Sequence, residues 1–318
     1  MSNLLRLVAR RLLQLPVMIL GITLLVFLVM SFSPVDPAII ALGESSSLEA
    51  RESYREANGL NDPFLVQFLH YLGGLVQGDL GTYTARQLPV GDAVAQALPI
   101  TLALTFIGLA IAVVLAFAFG VVAALYRDRW PDQVIRVVSV VSLGTPSFWL
   151  AVLFIQLFTL QLDLLPGSGP LPALDEDPAG YLARMALPAV ALAVPVVGQM
   201  TRVIRTSMVE ELDKDYVRTA VGAGLPRSVV VGRNVLRNAL ITPITVLGLR
   251  VGYLIGGAVV IEVIFALPGM GTLILEGITS NQANLVQGVT LTVALAFVLI
   301  NIVVDLLYVL VNPRIRTV

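Results

Sequence analysis

Seven basic residues between Arg202 and Arg237 form a charged island. It is flanked by an uncharged stretch, Met185–Thr201, and by one with a single charge, Asn238–Ile261. Side chains of this kind do recognition chemistry, donating charge-assisted hydrogen bonds to carboxylates and carbonyls. Val217, Ala220, Val221, Gly224 and Leu225 recur at helical spacing, and Arg218 falls off that stripe, available to a partner. Gly222 and Gly224 remove side-chain bulk, and Pro226 suits the first position of a second short helix carrying Arg227, Arg233 and Arg237. Helices this short are marginal in water, so the island must pack against this chain, another protein, or anionic lipid.

Other residues offer less chemistry. Arg250 lies about 18 Å into its apolar stretch, near mid-depth of a bilayer. An unpaired charge there costs at least about 2.5 kcal/mol. It therefore faces a translocation pathway, or is satisfied by helix-end carbonyls or a neighbouring subunit. Glu262 precedes the turn Phe265-Ala266-Leu267-Pro268-Gly269-Met270-Gly271, which reads either as a tight hairpin or as an outer gate. Asp305, one turn before Tyr308, reads as a helix-end anchor, and the single histidine, His70, as an interfacial residue. With no cysteine and one histidine, metal clusters and histidine triads lack their parts. No glycine-rich phosphate loop is present, so any ATP chemistry belongs to another chain.

These residues sit in an all-α polytopic membrane protein. The chain is 57% hydrophobic and 13% charged, about half the charge of average soluble proteins. Leu12–Val35, Ala93–Tyr126, Val137–Leu162, Met185–Thr201 and Gly277–Val304 carry no charge. With Asn238–Ile261 they give six expected transmembrane helices, each close to the roughly 20 residues a bilayer core requires. Leu12–Val35 is too long for a removed signal peptide and reads as a retained first span. If the N-terminus is inside, the inner segments hold 15 basic residues and the outer segments hold Arg51, Arg55, Arg86 and Arg184. Both termini are thus expected in the cytoplasm.

Three regions follow: 1–35, the N-terminus and first span; 36–92, a small extracytoplasmic cap; and 93–318, a five-helix core containing the 202–237 loop. In the cap, Ser46-Ser47-Leu48-Glu49 offers a capping box and Asn58-Gly59 a helix stop. Phe64–Val76 is an amphipathic apolar run after the Asp62-Pro63 turn. Asp163–Arg184, rich in proline and glycine, should be irregular. Pro99 and Pro188 are expected at the starts of spans two and four. Pro16, Pro146 and Pro195 should kink or open helices.

The wording Asp215-Tyr216-Val217-Arg218-Thr219-Ala220, with Gly224 after it, resembles the coupling-loop motif of ABC importer permeases. In that motif a Glu-Ala-Ala-like triplet, here Arg218-Thr219-Ala220, precedes a glycine. The dipeptide/oligopeptide/nickel branch, and its B-type permease subunit, is the nearest likeness. Gly59-Leu60-Asn61-Asp62-Pro63, Gly78-Asp79-Leu80-Gly81, Pro146-Ser147-Phe148-Trp149, Leu236-Arg237-Asn238-Ala239-Leu240 and Asn312-Pro313-Arg314 match in order over nearly the whole chain. Departures are Pro34-Val35-Asp36-Pro37 for Pro-Gly-Asp-Pro, Asn234 for a histidine, Ala283-Asn284-Leu285 for Asp-Tyr-Pro, and Asn312 for an aspartate.

The resemblance implies a type I ABC importer permease fold and uptake of short peptides through a cell (inner) membrane. The implied partners are a second homologous permease, two cytoplasmic ATPases holding ATP and magnesium, an extracytoplasmic binding protein and membrane lipid, with no nucleic acid. It assigns coupling to Asp215, Tyr216, Arg218, Thr219, Ala220, Gly224 and Leu225, and the pathway or gate to Arg250 and Glu262. The chain itself would be non-catalytic and without a cofactor. Nickel chelates, haem or another small solute remain alternative cargoes, and an ATP-independent secondary transporter is the alternative of another class.

Overall fold

The computed structural model describes residues 2–32, 35–84 and 88–311, with side chains described outside 2–12, 14, 305 and 307–311. Asp305, the Asn312-Pro313-Arg314 motif, Pro34 and Arg86 therefore lie outside the described residues or side chains. The helices are α1 (Ser2–Ser31), α2 (Pro37–Leu42), α3 (Leu48–Ala57), α4 (Phe64–Val76), α5 (Val90–Leu125), α6 (Trp130–Gly144) and α7 (Ser147–Phe154). After α7 come a π-helical turn (Ile155–Gln161), α8 (Pro178–Leu212), α9 (Asp215–Gly222) and α10 (Arg227–Val229). A second π-helical turn (Val230–Val235) leads to α11 (Leu236–Ala239), α12 (Ile241–Phe265), α13 (Met270–Thr279) and α14 (Ala283–Val311). Two short strands, β1 (Thr82–Tyr83) and β2 (Leu88–Pro89), pair antiparallel with Thr82 opposite Pro89.

Among the described residues, α5, α8, α12 and Ala283–Val304 of α14 are long and apolar enough to cross a membrane. α6 and the helix from Ser147 to Gln161 pass only as a pair, bent by 100° where Pro146 interrupts the chain. This pair lies where the sequence places span three, and apolar Leu15–Ser31 of α1 lies where it places span one. Pro146 thus does what its chemistry requires, since it cannot donate to the helical ladder.

Pro99 and Pro188 do not begin spans. Both lie inside helices, α5 starting at Val90 and α8 at Pro178, where the Asp177 carboxylate accepts from the Gly180 N–H. The expected boundaries followed Asp92 and Arg184, but a helix can continue past its apolar portion. For the same reason the irregular segment ends at Asp177, and Arg184 is helical.

The chain divides into two compact units. One holds Leu102–Leu267 with pieces of the terminal helices. Its centre is α8, which is contacted by α6, α7 and α12. Glycine allows the closest approaches: a Cβ at Gly198 would lie 2.6 Å from the Ser139 carbonyl oxygen, and one at Gly120 2.7 Å from the Ile204 side chain. In membranes, where apolar surface alone does not drive helices together, such small-residue contacts let backbones pack closely.

The other unit holds Leu5–Thr101 and Pro268–Leu299. Val90, Val94 and Ala97 of α5 pack with Met270 of α13 and Leu285 and Val289 of α14. The Thr101 hydroxyl accepts from the Met270 N–H at 2.9 Å. Phe27 of α1 meets Phe64, Phe68 and Tyr71 of α4, with ring centroids 5.2–5.9 Å apart. α4 occupies the predicted amphipathic run from end to end. The α3 cap differs from the predicted box: Ser47 is the cap and accepts from Ala50 N–H, so Glu49 falls one position too early to reciprocate.

Candidate coupling site

The charged island folds as a short helix held at both ends. α8 stops at Leu212, and α9 begins after Lys214, with Asp215 in its first turn. A carboxylate there is favoured by the exposed N–H groups of the helix start. Tyr216 donates its hydroxyl to Glu211 Oε1 at 2.9 Å, and Lys214 Nζ reaches Glu211 Oε2 at 2.5 Å. Asn238 Nδ2 lies 3.5 Å from the Tyr216 oxygen, joining α11 to the same cluster. Burial holds the Tyr216 phenol above its ordinary pKa, while the Asn238 amide acts the other way. Alongside, Arg127 Nη1 donates to Asp213 Oδ2 at 2.7 Å, tying the turn after α5 to the turn before α9. Asp213 in turn raises the Arg127 pKa.

The far end of α9 is closed by a Schellman motif. Leu225 N–H donates to Ala220 O and Gly224 N–H to Val221 O, with Gly224 at φ +85°. That left-handed conformation is open to glycine at little cost and carries a penalty for residues with a Cβ. The predicted second helix is present as a helical run from Arg227 through Ala239, interrupted by the π-helical turn, which no sequence signal announces.

What remains outward on α9 is specific. Val217 is buried and Ala220 partly so, but Val221 is 50% exposed and Leu225 45%. The expected stripe is thus only half buried, and its second half joins Arg218 and Thr219 on open surface. Among the described residues Arg218 makes only a long, exposed contact of 3.7 Å to Asp215. The Thr219 hydroxyl donates back to Asp215 O at 3.0 Å, the ordinary helical habit of threonine. The structure therefore gathers Asp215, Tyr216, Arg218, Thr219, Ala220, Gly224 and Leu225 on one small element. Tyr216 is turned toward the chain's own Glu211.

Residues 116–317 match the family described as the binding-protein-dependent transport system inner membrane component, and residues 4–105 match its N-terminal membrane component. The chain belongs to this permease family. It is 40% identical over 301 residues, 95% of each chain, to a putative peptide transport system permease protein of Brucella abortus strain 2308. A protein so described from Brucella suis biovar 1 also matches at 40%. The glutathione transport system permease protein GsiC of Escherichia coli K12 is 37% identical over 309 residues, 97% of this chain and 98% of its own. This permease is accordingly an integral membrane subunit of a multi-component ABC transporter, and it has the type I importer permease fold.

The two expected pathway residues do not join the coupling site or one another. Arg250 and Glu262 both lie on α12, twelve residues or about 18 Å apart. Arg250 Nε is buried without a hydrogen-bond partner among the described residues. Glu262 is fully buried and faces no open surface. Sequence reasoning missed Glu211, Asn238, Arg127 and Asp213, which hold α9 in place. The signal available was the run Glu210-Glu211-Leu212-Asp213, acids packed beside the island's arginines and lysine.

It also missed Arg184, counted among the outer arginines. Arg184 is 2% exposed, and its guanidinium donates to the carbonyls of Gly167, Gly169 and Phe265. It staples the irregular segment before α8 to the end of α12.

Proposed function

We propose that this permease subunit serves an ATP-driven importer of short peptides, with α9 as the element that docks on cytoplasmic ATPases. The observation that carries this reading is the geometry of α9. It is anchored by Glu211–Tyr216 at one end and capped by Gly224 at the other, with Arg218, Val221 and Leu225 left on open surface. A helix fixed in this way transmits a push to the helix before it and does not absorb the push by fraying.

In this proposal a second homologous permease completes the pathway, and an extracytoplasmic binding protein supplies cargo. Two ATPase subunits carry ATP and magnesium, and both termini of this chain face the cytoplasm. Closure of the ATPase pair draws the two coupling helices together and opens the pathway outward. Arg250 contributes to the pathway wall and Glu262 to a buried support for the outer gate. The names of the relatives, peptide and glutathione transport permeases, support a peptide cargo.

The test is peptide uptake and peptide-stimulated ATPase activity in proteoliposomes holding the whole complex, with Arg218→Glu and Leu225→Glu. Both positions are exposed, so the chain should still fold. Loss of coupled ATPase activity in either variant supports docking through α9. Full uptake and stimulation in both would sink it.

A further inference from the structure

The unit formed by Leu5–Thr101 and Pro268–Leu299 contains a cavity of about 350 Å³. One part of its wall is apolar, with Phe27 and Met30 of α1 and Ile40 of α2. Another part is polar, with Gln67 and Tyr71 of α4, the latter against Phe27, and Gln282 and Gln287 near the start of α14. Among the described residues its lining holds one histidine, His70, and no aspartate, glutamate, lysine or arginine. The volume lies at the small end of the range of ligand pockets, roughly 300–1,000 Å³.

The polar wall has two parts. One is already bonded and holds the shape: Gln67 Nε2 donates to Leu60 O at 3.0 Å and to Asp62 O at 2.8 Å. Gln282 Oε1 accepts from Thr84 N–H at 3.1 Å, and Asn284 Nδ2 donates to Thr82 O at 2.9 Å. The other part is unspent. The Tyr71 hydroxyl is buried with no hydrogen-bond partner among the described residues. Gln287 is only 5% exposed, and its carboxamide makes no hydrogen bond among the described residues. Buried polar groups are otherwise almost always paired, so the orphaned Tyr71 hydroxyl, in the same lining as the unspent Gln287 carboxamide, calls for an occupant. Burial pushes the Tyr71 pKa up to about 12, which keeps the phenol a donor.

The chemistry of the wall selects that occupant. A carboxamide offers two donors and an acceptor, the complement of another amide. Among the described lining residues an ammonium finds no counter-charge and a carboxylate or phosphate finds at most His70, so their desolvation would go largely uncompensated. The apolar wall would leave a polyol half unmatched. We propose that this cavity binds an uncharged amide the size of one blocked amino-acid residue, its amide paired with Gln287 and Tyr71 and its apolar side chain against Phe27, Met30 and Ile40. The site is separate from α9 and does not depend on the coupling reading.

The test uses the full-length permease in lipid nanodiscs and saturation-transfer NMR with three probes: N-acetyl-L-alanine N-methylamide, zwitterionic dialanine and glycerol. The blocked amide should bind saturably and in preference to the other two. Each lost neutral hydrogen bond should weaken it roughly three- to tenfold, in Tyr71→Phe and in Gln287→Leu. Tyr71→Phe should also leave the ligand-free melting temperature unchanged or higher, because it removes an orphaned hydroxyl. That keeps the test intact if Gln287→Leu folds poorly. Absence of saturable binding, as for a cavity that holds only water, overturns the proposal. So does binding of dialanine or glycerol as tight as the amide's, or an affinity for the amide that Tyr71→Phe does not change.

Discussion

Arg205 of α8 grips Asp132 of α6 at two points, Nε to Oδ1 at 2.6 Å and Nη2 to Oδ2 at 2.7 Å. Asp132 is fully buried and takes a further hydrogen bond from the Asp128 N–H at 2.9 Å. Arg136 adds a longer contact at 3.6 Å. The pair binds α6 to α8, the helix that leads into α9. It differs in kind from Arg127–Asp213, whose side chains stay 47% and 60% exposed.

Asp132→Asn should therefore destabilise the permease by about 3 kcal/mol, the low end for a broken buried pair because Arg205 keeps some access to water. Arg127→Gln should leave stability unchanged within error, since exposed pairs contribute little. Thermal unfolding of both variants in one detergent checks the contrast, and equal losses would refute it.

Replacing Gly224 tests the cap of α9. Alanine at φ +85° should cost about 1–2 kcal/mol of local stability, and asparagine, which tolerates this region, distinctly less. Among the described residues, its chain neighbours aside, nothing lies within 4 Å of the missing Cβ, so the penalty is conformational and not steric. Hydrogen exchange at the Gly224 and Leu225 amides should speed up in the order glycine, asparagine, alanine.

Arg184→Met should loosen the segment before α8 by leaving the carbonyls of Gly167, Gly169 and Phe265 short of donors. The buried orphans, at Gly167 and Phe265, cost about 1–3 kcal/mol each, while the exposed Gly169 carbonyl turns to water. Protease cleavage between Asp163 and Asp177 should appear in the variant at enzyme levels that spare the parent. Arg184→Lys should rescue only in part, because an ammonium cannot spread over three carbonyls as a guanidinium does.

Asp36 accepts from Arg55, whose guanidinium holds the Asp36 carboxyl below its ordinary value of 3.8. A carboxyl depressed in the folded state lends stability that is complete above the unfolded pKa and is lost as pH falls through the folded one. Protection factors in α2 and α3, which divide out the slowing of intrinsic exchange in acid, should thus fall on acidification below about pH 4. Asp36→Asn should flatten that dependence while leaving the behaviour of α9 alone.

Much of this architecture could be read from the residues themselves. The apolar run Phe64–Val76 became α4 without adjustment, and Pro146 marked a sharp bend. The helical stripe was carried too far, through Gly224 and Leu225, whereas α9 ends at Gly222 and Gly224 is its left-handed cap. Helix ends near Pro99 and Pro188 were misplaced because charge marks where apolar character stops, and the hydrogen-bond ladder can run on beyond it. The π-helical turns left no trace in composition, and the contacts of Tyr216 with Asn238 and of Arg184 with Phe265 are tertiary, set by helices that come later in the chain. The candidate coupling residues could be singled out by a motif; the residues that hold α9 in place could not.

The two prolines inside α8 give that helix uneven stiffness. Pro188 and Pro195 cannot donate to the carbonyls of Arg184 and Ala191, so two rungs are missing from one short stretch. From Val196 to Leu212 the ladder meets no further proline, over about 25 Å, and Gly198 and Arg205 clamp this portion to α6. Mechanically, α8 is a rigid arm with a compliant joint. Force applied at Tyr216 moves the arm as one piece and bends the helix where its ladder is broken, just short of the anchored Arg184.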